Sequence, residues 1–195
     1  MNVFWLDDDL HAAAQAHPTR YTKIILESGQ CLCSALHNNG LGNVSPYGPG
    51  YNHHPISRWA GESADNWFWL VEYMSALHNH YYGYTYADIL DMGDDAAWDL
   101  WEDREVHKTI VQIATAHVDT IVDEALPHLG RTARPKCVLD FCVEDSVVET
   151  YRKYIVCVKS HLDWFEWSAE IPSWYDDIID RYPHAYRYGK SVART

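Results

Sequence analysis

Basic residues are scarce in this chain. Its 15 lysines and arginines stand against 28 carboxylates, a net charge of −13 with histidine neutral. Binding to a phosphate backbone depends on clustered cations, and a field of the wrong sign slows approach to it. Tight, non-specific DNA binding is therefore excluded unless a local patch supplies the contacts. Two places gather cations, one at Arg131, Arg134 and Lys136 and one at Arg181, Arg187, Lys190 and Arg194. Long apolar runs are also missing, and no basic-then-apolar leader opens the chain, so no membrane partner is expected. The five cysteines are odd in number and lack zinc-knuckle spacing, which fits a reduced cytoplasmic interior rather than a disulfide framework. Neither a P-loop nor a GxGxxG turn occurs, so no ATP or NAD cofactor is expected. No internal repeat is present.

Histidine is plentiful, with 12 residues. The pairs His53/His54, His78/His80 and His107/His117 nevertheless miss the i, i+4 spacing of HExxH and the Glu-x-x-His signature of a di-iron bundle. Positions two apart on a helix, such as His78 and His80, point to different sides. No metal is expected.

What remains is helical patterning. A chain of 195 residues suits one domain that buries roughly 70% of its unfolded surface. After a short extended segment, Leu10 to His17 reads as a helix stopped by Pro18. Thr19 is placed to cap a second helix running to about His37, with Tyr21, Ile25, Leu32 and Leu36 on its apolar face. The loop 39–53, rich in Gly, Pro and Asn, reads as a lid or as a mobile connector. The strongest helix opens at Ser63, an N-cap, with Asp65 in its first turn. Trp67, Leu70, Val71, Met74, Leu77 and Tyr81 form its core stripe. A long helix is expected from Asp94 or Asp95 to near Pro127, with Trp98, Trp101, Val106, Ile110, Ile113, Ile121 and Val122 inward. Asp145 is placed to cap the next helix, whose face is Val148, Tyr151, Ile155, Val158 and Leu162. The expected fold is all-α, a single compact domain of about six helices.

Two polar edges are candidate site walls. On the second helix Arg20, Lys23, Glu27, Gln30, Ser34 and His37 share one sector. They read either as a solvated face with a Lys23–Glu27 ion pair, or as a wall with Glu27 as base or electrostatic stabiliser and Arg20 as anion clamp. On the central helix Asn66, Trp69, Tyr73 and His80 flank the core stripe. They either line a pocket for a flat polar ligand or cap a core boundary.

The pattern HPxxxWAxxSxxNxxWL at His54–Leu70 resembles a family of small helical proteins encoded by bacteriophages. So do the opening MNVFWLD, KIILESGQ at Lys23–Gln30, TYRKYIVCVKS at Thr150–Ser160 and IPSWY at Ile171–Tyr175. The likeness covers most of the chain in order. This sequence departs from the pattern in carrying Pro18, Thr19 and Arg20 in place of Asp-Lys-His, and Gly61 in place of an arginine. Asn79, His80 and tyrosines replace a basic end after the central helix. The step from Arg20 to Glu27 and the ending YRYGK are also similar to the phage-type pyrimidine-dimer DNA glycosylase, endonuclease V.

That resemblance implies an enzyme acting on a pyrimidine base in DNA. Glu27 would be its catalytic carboxylate and the chain-terminal amine its nucleophile, although Asn2 after Met1 disfavours exposure of a new terminus. Substrate contacts are expected from Arg20, Lys23, Gln30, His54, Arg58, Asn66, Trp69, Tyr73 and Lys159, in the cytoplasm of an infected host cell. Two other classes stay open. One is an enzyme or binder of a free pyrimidine nucleotide or other small molecule, and the other is a non-enzymatic host-interaction protein.

Overall fold

The computed structural model describes residues 3–18, 23–103, 105–163, 165–167 and 169–192. Eleven α-helices occur among them, and the one β-type pairing described is an isolated bridge between Pro18 and Trp167. The all-α expectation holds, while the count of six does not, because local stops divide the expected long helices. The chain forms two compact units, Met1–Val3 with Thr22–Pro135 and Phe4–Tyr21 with Lys136–Thr195.

The first unit is built on α2 (Lys23–Asn38), which packs against α3 (Pro55–Ala60), α4 (Ala64–Tyr82) and α7 (Glu105–Thr115). The expected Thr19 cap and Tyr21 lie outside the described residues. Ile24, Ile25, Leu32 and Leu36 are buried, and so are Ser28, Cys31, Cys33 and Ser34, so α2 is covered on more than its apolar face. A Cβ added at Gly29 would lie 2.3 Å from Thr109 Cγ2, so only glycine permits this approach of α2 to α7.

α3 starts at Pro55, whose fixed φ and missing N–H suit a first helical position, and His54 accepts from Ile56 N at 3.2 Å. α4 starts as expected, with Ser63 Oγ accepting from Asn66 N at 3.2 Å. It ends at Gly83, whose φ of 79° is the left-handed conformation a helix stop favours. Trp67, Leu70, Val71, Met74 and Leu77 are buried, and Tyr81 is half-buried.

α5 (Tyr86–Asp91) follows a Thr85/Asp88 capping box. The single helix expected over 94–127 is three: α6 (Asp94–Asp103), α7 and α8 (Val118–Ala125). His117 adopts φ 49°, ψ 40°, which breaks the hydrogen-bond ladder between α7 and α8. Ile110, Ile113 and Val122 face inward as expected, but Trp98 is 56% exposed. The side chain of Val106 lies outside the description.

The second unit is built on α9 (Val147–Cys157), with α10 (Trp174–Arg181) and α11 (Pro183–Val192) against it. The cap of α9 is Ser146 rather than Asp145. The helix begins at Val147, so the side chain one residue before it reaches Glu149 N, at 3.4 Å. Val148, Tyr151, Ile155 and Val158 are buried as expected, and Leu162 lies beyond the helix end, half-buried. Phe4, Trp5 and Leu6 are buried in a segment that is neither helix nor strand, and Trp5 packs on the Tyr151 ring at 5.5 Å. Arg152 ties this segment down by donating to Leu6 O at 2.7 Å and to Asp7 at 2.6 Å. α1 (Leu10–Gln15) follows, capped by Asp9.

Candidate functional site

The polar sector of α2 is roofed by the loop that follows it. Lys23 Nζ lies 3.6 Å from Glu27 Oε1, with Lys23 largely exposed and Glu27 mostly covered. One turn further on the same face is Gln30, and then Ser34 and His37. Ser34 Oγ accepts from Tyr51 N at 3.0 Å, and the His37 ring donates from Nε2 to Tyr47 O at 2.9 Å. Asn38 donates to Asn52 O at 2.9 Å, and Ser45 Oγ donates to Tyr47 O at 2.7 Å. These bonds pin a Gly/Pro-rich segment whose own regular structure is one 3-10 turn at Gly42–Val44. Gln30, Tyr47, Gly48, Pro49, Gly50 and Tyr51 border a cavity of about 460 Å³, within the range of small-ligand sites.

His54 Nδ1 is occupied in capping α3, and the exposed Arg58 donates to His53 Nδ1 at 3.4 Å. Lys159 belongs to the second unit, where its Nζ stands 5.4 Å from the centre of the Tyr154 ring. Arg20 lies outside the described residues.

The other polar edge turns inward. Asn66, Trp69 and Tyr73 are 0%, 4% and 0% exposed, so the flank of α4 is core rather than an open wall. Asn66 Nδ2 donates to Trp59 O at 2.7 Å and to Thr132 Oγ1 at 2.8 Å, while Oδ1 accepts from Thr132 N at 3.0 Å. Thr132 Oγ1 donates onward to Glu62 at 2.7 Å, and Gly130 N donates to Asp65 at 3.0 Å. This network straps the segment after α8 across the start of α4. Trp69 stacks on Tyr73 at 5.4 Å, and the Arg134 guanidinium lies 5.4 Å from the Trp69 ring.

The basic clusters are likewise engaged within each unit. Besides Arg134, Lys136 donates to the Glu144 and Asp145 carbonyls, and Arg181 pairs with Glu149. Arg131, Arg187 and Lys190 are exposed, and Arg194 lies outside the described residues.

A third arrangement, which the sequence reading did not assemble, joins α4 to α7. His78 and His107 are buried, and His78 Nε2 lies 2.8 Å from His107 Nδ1. His78 Nδ1 lies 2.7 Å from Tyr84 O. A carbonyl only accepts, so His78 carries its proton on Nδ1. Burial holds this ring neutral, its pKa pushed down to about 4 chiefly by desolvation. Its Nε2 is then an acceptor, and His107 must donate from Nδ1. The basic nitrogen of His107 is therefore Nε2, 3.6 Å from Asp103 Oδ2. His107 and Asp103, with Tyr82, Tyr84, Met92, Ala96, Asp99 and Leu100, line a cleft of about 410 Å³. Histidines 29 positions apart have no local spacing to reveal them.

Among the described residues no group of three or more His, Cys, Asp or Glu side chains is arranged to hold a metal ion. Cys142 and Cys157 are buried, and desolvation pushes their thiols up to about 12 and about 11, which makes them poor nucleophiles. No described helix is long and apolar enough to cross a membrane. In comparisons with known proteins the chain matches no family model, no curated protein and no solved structure.

Proposed function

We propose that this protein is an enzyme acting at the glycosidic carbon of a pyrimidine nucleotide, with Glu27 as its carboxylate and Lys23 as its amine. The observation that carries this reading is the Lys23–Glu27 pair, 3.6 Å apart, one helical turn before Gln30 at the cavity bordered by Tyr47 and Tyr51. A tyrosine ring offers a face on which a base stacks, and a glutamine amide offers one donor and one acceptor to a pyrimidine edge. The expected terminal amine lies outside the described residues, and Lys23 takes its place as the amine beside the carboxylate.

The chemistry is that of an activated nitrogen nucleophile. Lys23 first gives one ammonium proton to solvent, and its lone pair then attacks C1′. The C1′–N bond breaks with its electron pair leaving on the base, which takes up a proton. Glu27 stabilises the positive charge that develops on the sugar. Opening of the sugar ring places a proton on its former ring oxygen and leaves a Schiff base between C1′ and Lys23, which water hydrolyses.

A free nucleotide is favoured over duplex DNA by the net charge of −13, which opposes the many phosphates of a duplex more than the phosphate of one nucleotide. Borohydride reduction in the presence of abasic-site DNA, lesion DNA or pyrimidine nucleotides tests the proposal. Reduction is expected to fix a covalent adduct on the wild-type protein that Lys23→Met loses. Glu27→Gln is expected to slow turnover by about 10²- to 10³-fold, the effect of removing one transition-state stabiliser. No adduct with any of the three substrates overturns the assignment.

A further inference from the structure

We infer that His107, oriented by His78, is the proton acceptor of a second site that takes a small organic ammonium ion into the cleft between the α4–α5 turn, α6 and the start of α7. This inference does not depend on the α2 cavity, whose lining shares no residue with it. Three features carry it.

The first is tautomer control. The Tyr84 carbonyl fixes His78, and His78 fixes His107, so both rings have one proton arrangement and the basic nitrogen of His107 is Nε2. A base held by a second group, itself held by a third, is the arrangement acid–base catalysts use. A histidine merely filling space would not need a second buried imidazole to set its tautomer.

The second is support for the product charge. Once Nε2 takes a proton, the imidazolium donates from Nδ1 to His78 and from Nε2 toward Asp103, 3.6 Å away. Nδ1–H then keeps its acceptor, and the Asp103 carboxylate faces Nε2 at ion-pair distance. Without a counter-charge, an imidazolium at a residue only 2% exposed would be prohibitive.

The third is the composition of the cleft. Among the described residues its lining carries Asp99 and Asp103 and no lysine or arginine, a charge balance that favours a cation over an anion. The rings of Tyr82 and Tyr84 attract a cation, while Met92, Ala96 and Leu100 accept an apolar body. In the step itself the ammonium gives one proton to Nε2 of His107. The N–H electron pair stays on the substrate nitrogen, leaving a neutral amine that is a nucleophile.

Benzylamine, charged at pH 7.5, and the neutral benzyl alcohol are the probes, read by long-range 1H–15N spectra of the imidazole rings of the intact protein. Free protein is expected to show both rings in the Nδ1–H form. Benzylamine is expected to move the His107 ring signals saturably, and benzyl alcohol to leave them in place. Asp103→Asn, at an exposed position, is expected to weaken benzylamine binding roughly three- to fivefold, the worth of one exposed ion pair. His78→Gln keeps a donor for Tyr84 O and an acceptor for His107, so it is expected to retain the Nδ1–H form of His107. An Nε2–H form of His107 in the wild-type protein overturns the inference, as do ring signals unmoved by benzylamine. Equal shifts with benzyl alcohol overturn the choice of a cation.

Discussion

His78 makes the fold sensitive to acid in a defined window. Its pKa is 6.5 in an unhindered ring and about 4 in the folded protein, because burial disfavours the charged form. Between those values the unfolded chain binds a proton that the folded chain does not, so stability falls as pH falls. The contribution is fully present above about pH 6.5 and is lost by about pH 4. A difference of roughly 2.5 units at 1.36 kcal/mol each is about 3 kcal/mol, a large share of the total stability of an ordinary domain.

The assay is urea unfolding between pH 4 and pH 7.5 for wild type and His78→Gln. Glutamine keeps a donor for Tyr84 O and an acceptor for His107 Nδ1–H but does not titrate. At pH 7.5 the variant is expected to lie within about 1 kcal/mol of wild type, the scale of one adjusted hydrogen bond. At pH 4 it is expected to be the more stable protein by about 2–3 kcal/mol. Carboxylates titrate in both proteins and cancel from the difference. Parallel curves across the whole range would refute the argument, because they would mean that His78 is protonated as readily folded as unfolded.

Three further outcomes follow from the packing. Asn66→Ala should destabilise the fold by about 1–3 kcal/mol in urea, since it strands the Thr132 N–H and leaves the Trp59 carbonyl with the backbone donor Glu62 N; no measurable loss would mean that the strap is not held this way. Gly29→Ala should cost about 1–3 kcal/mol by overpacking against Thr109, and adding Thr109→Ala should recover part of it in a double-mutant cycle. Free-nucleotide affinity in the α2 cavity should hardly respond to salt, whereas duplex DNA held through Arg187 and Lys190 should lose roughly two units of log–log salt slope when both are neutralised. A steep salt slope for a free nucleotide would count against a stacking site.

Features set within one or two turns of chain were legible in the sequence. The Ser63 cap, the Trp67-to-Leu77 stripe and the buried face of α9 depend on helical period and on one side chain reaching one nearby N–H. The break at His117 was not legible, because a single residue in left-handed backbone leaves the apolar period on either side intact. The Lys23–Glu27 pair was legible as an i, i+4 step on one helix face. Its roof was not, because the Tyr47 and Tyr51 contacts come from a loop with no period at all. The histidine dyad needed tertiary structure, since α4 and α7 each contribute one ring.

The flank of α4 shows why burial decides which residue can test a site. The helical wheel placed Asn66, Trp69 and Tyr73 on one edge correctly, but a wheel gives direction and not what lies there. What lies there is the segment after α8, which hydrogen-bonds Asn66 and sets Arg134 over Trp69. Trp69→Ala would therefore remove a buried ring, at about 3–5 kcal/mol, and lost ligand binding in that variant would report unfolding. Tyr51, at 39% exposed on the cavity border, is the better probe. Tyr51→Ala keeps the backbone N–H that donates to Ser34 and should leave the urea midpoint nearly unchanged. If a nucleotide base stacks there, its affinity should fall by about 1–3 kcal/mol, the worth of one aromatic stack. Unchanged nucleotide affinity in a fully folded Tyr51→Ala protein would remove the base from this cavity, and with it the role given to Glu27.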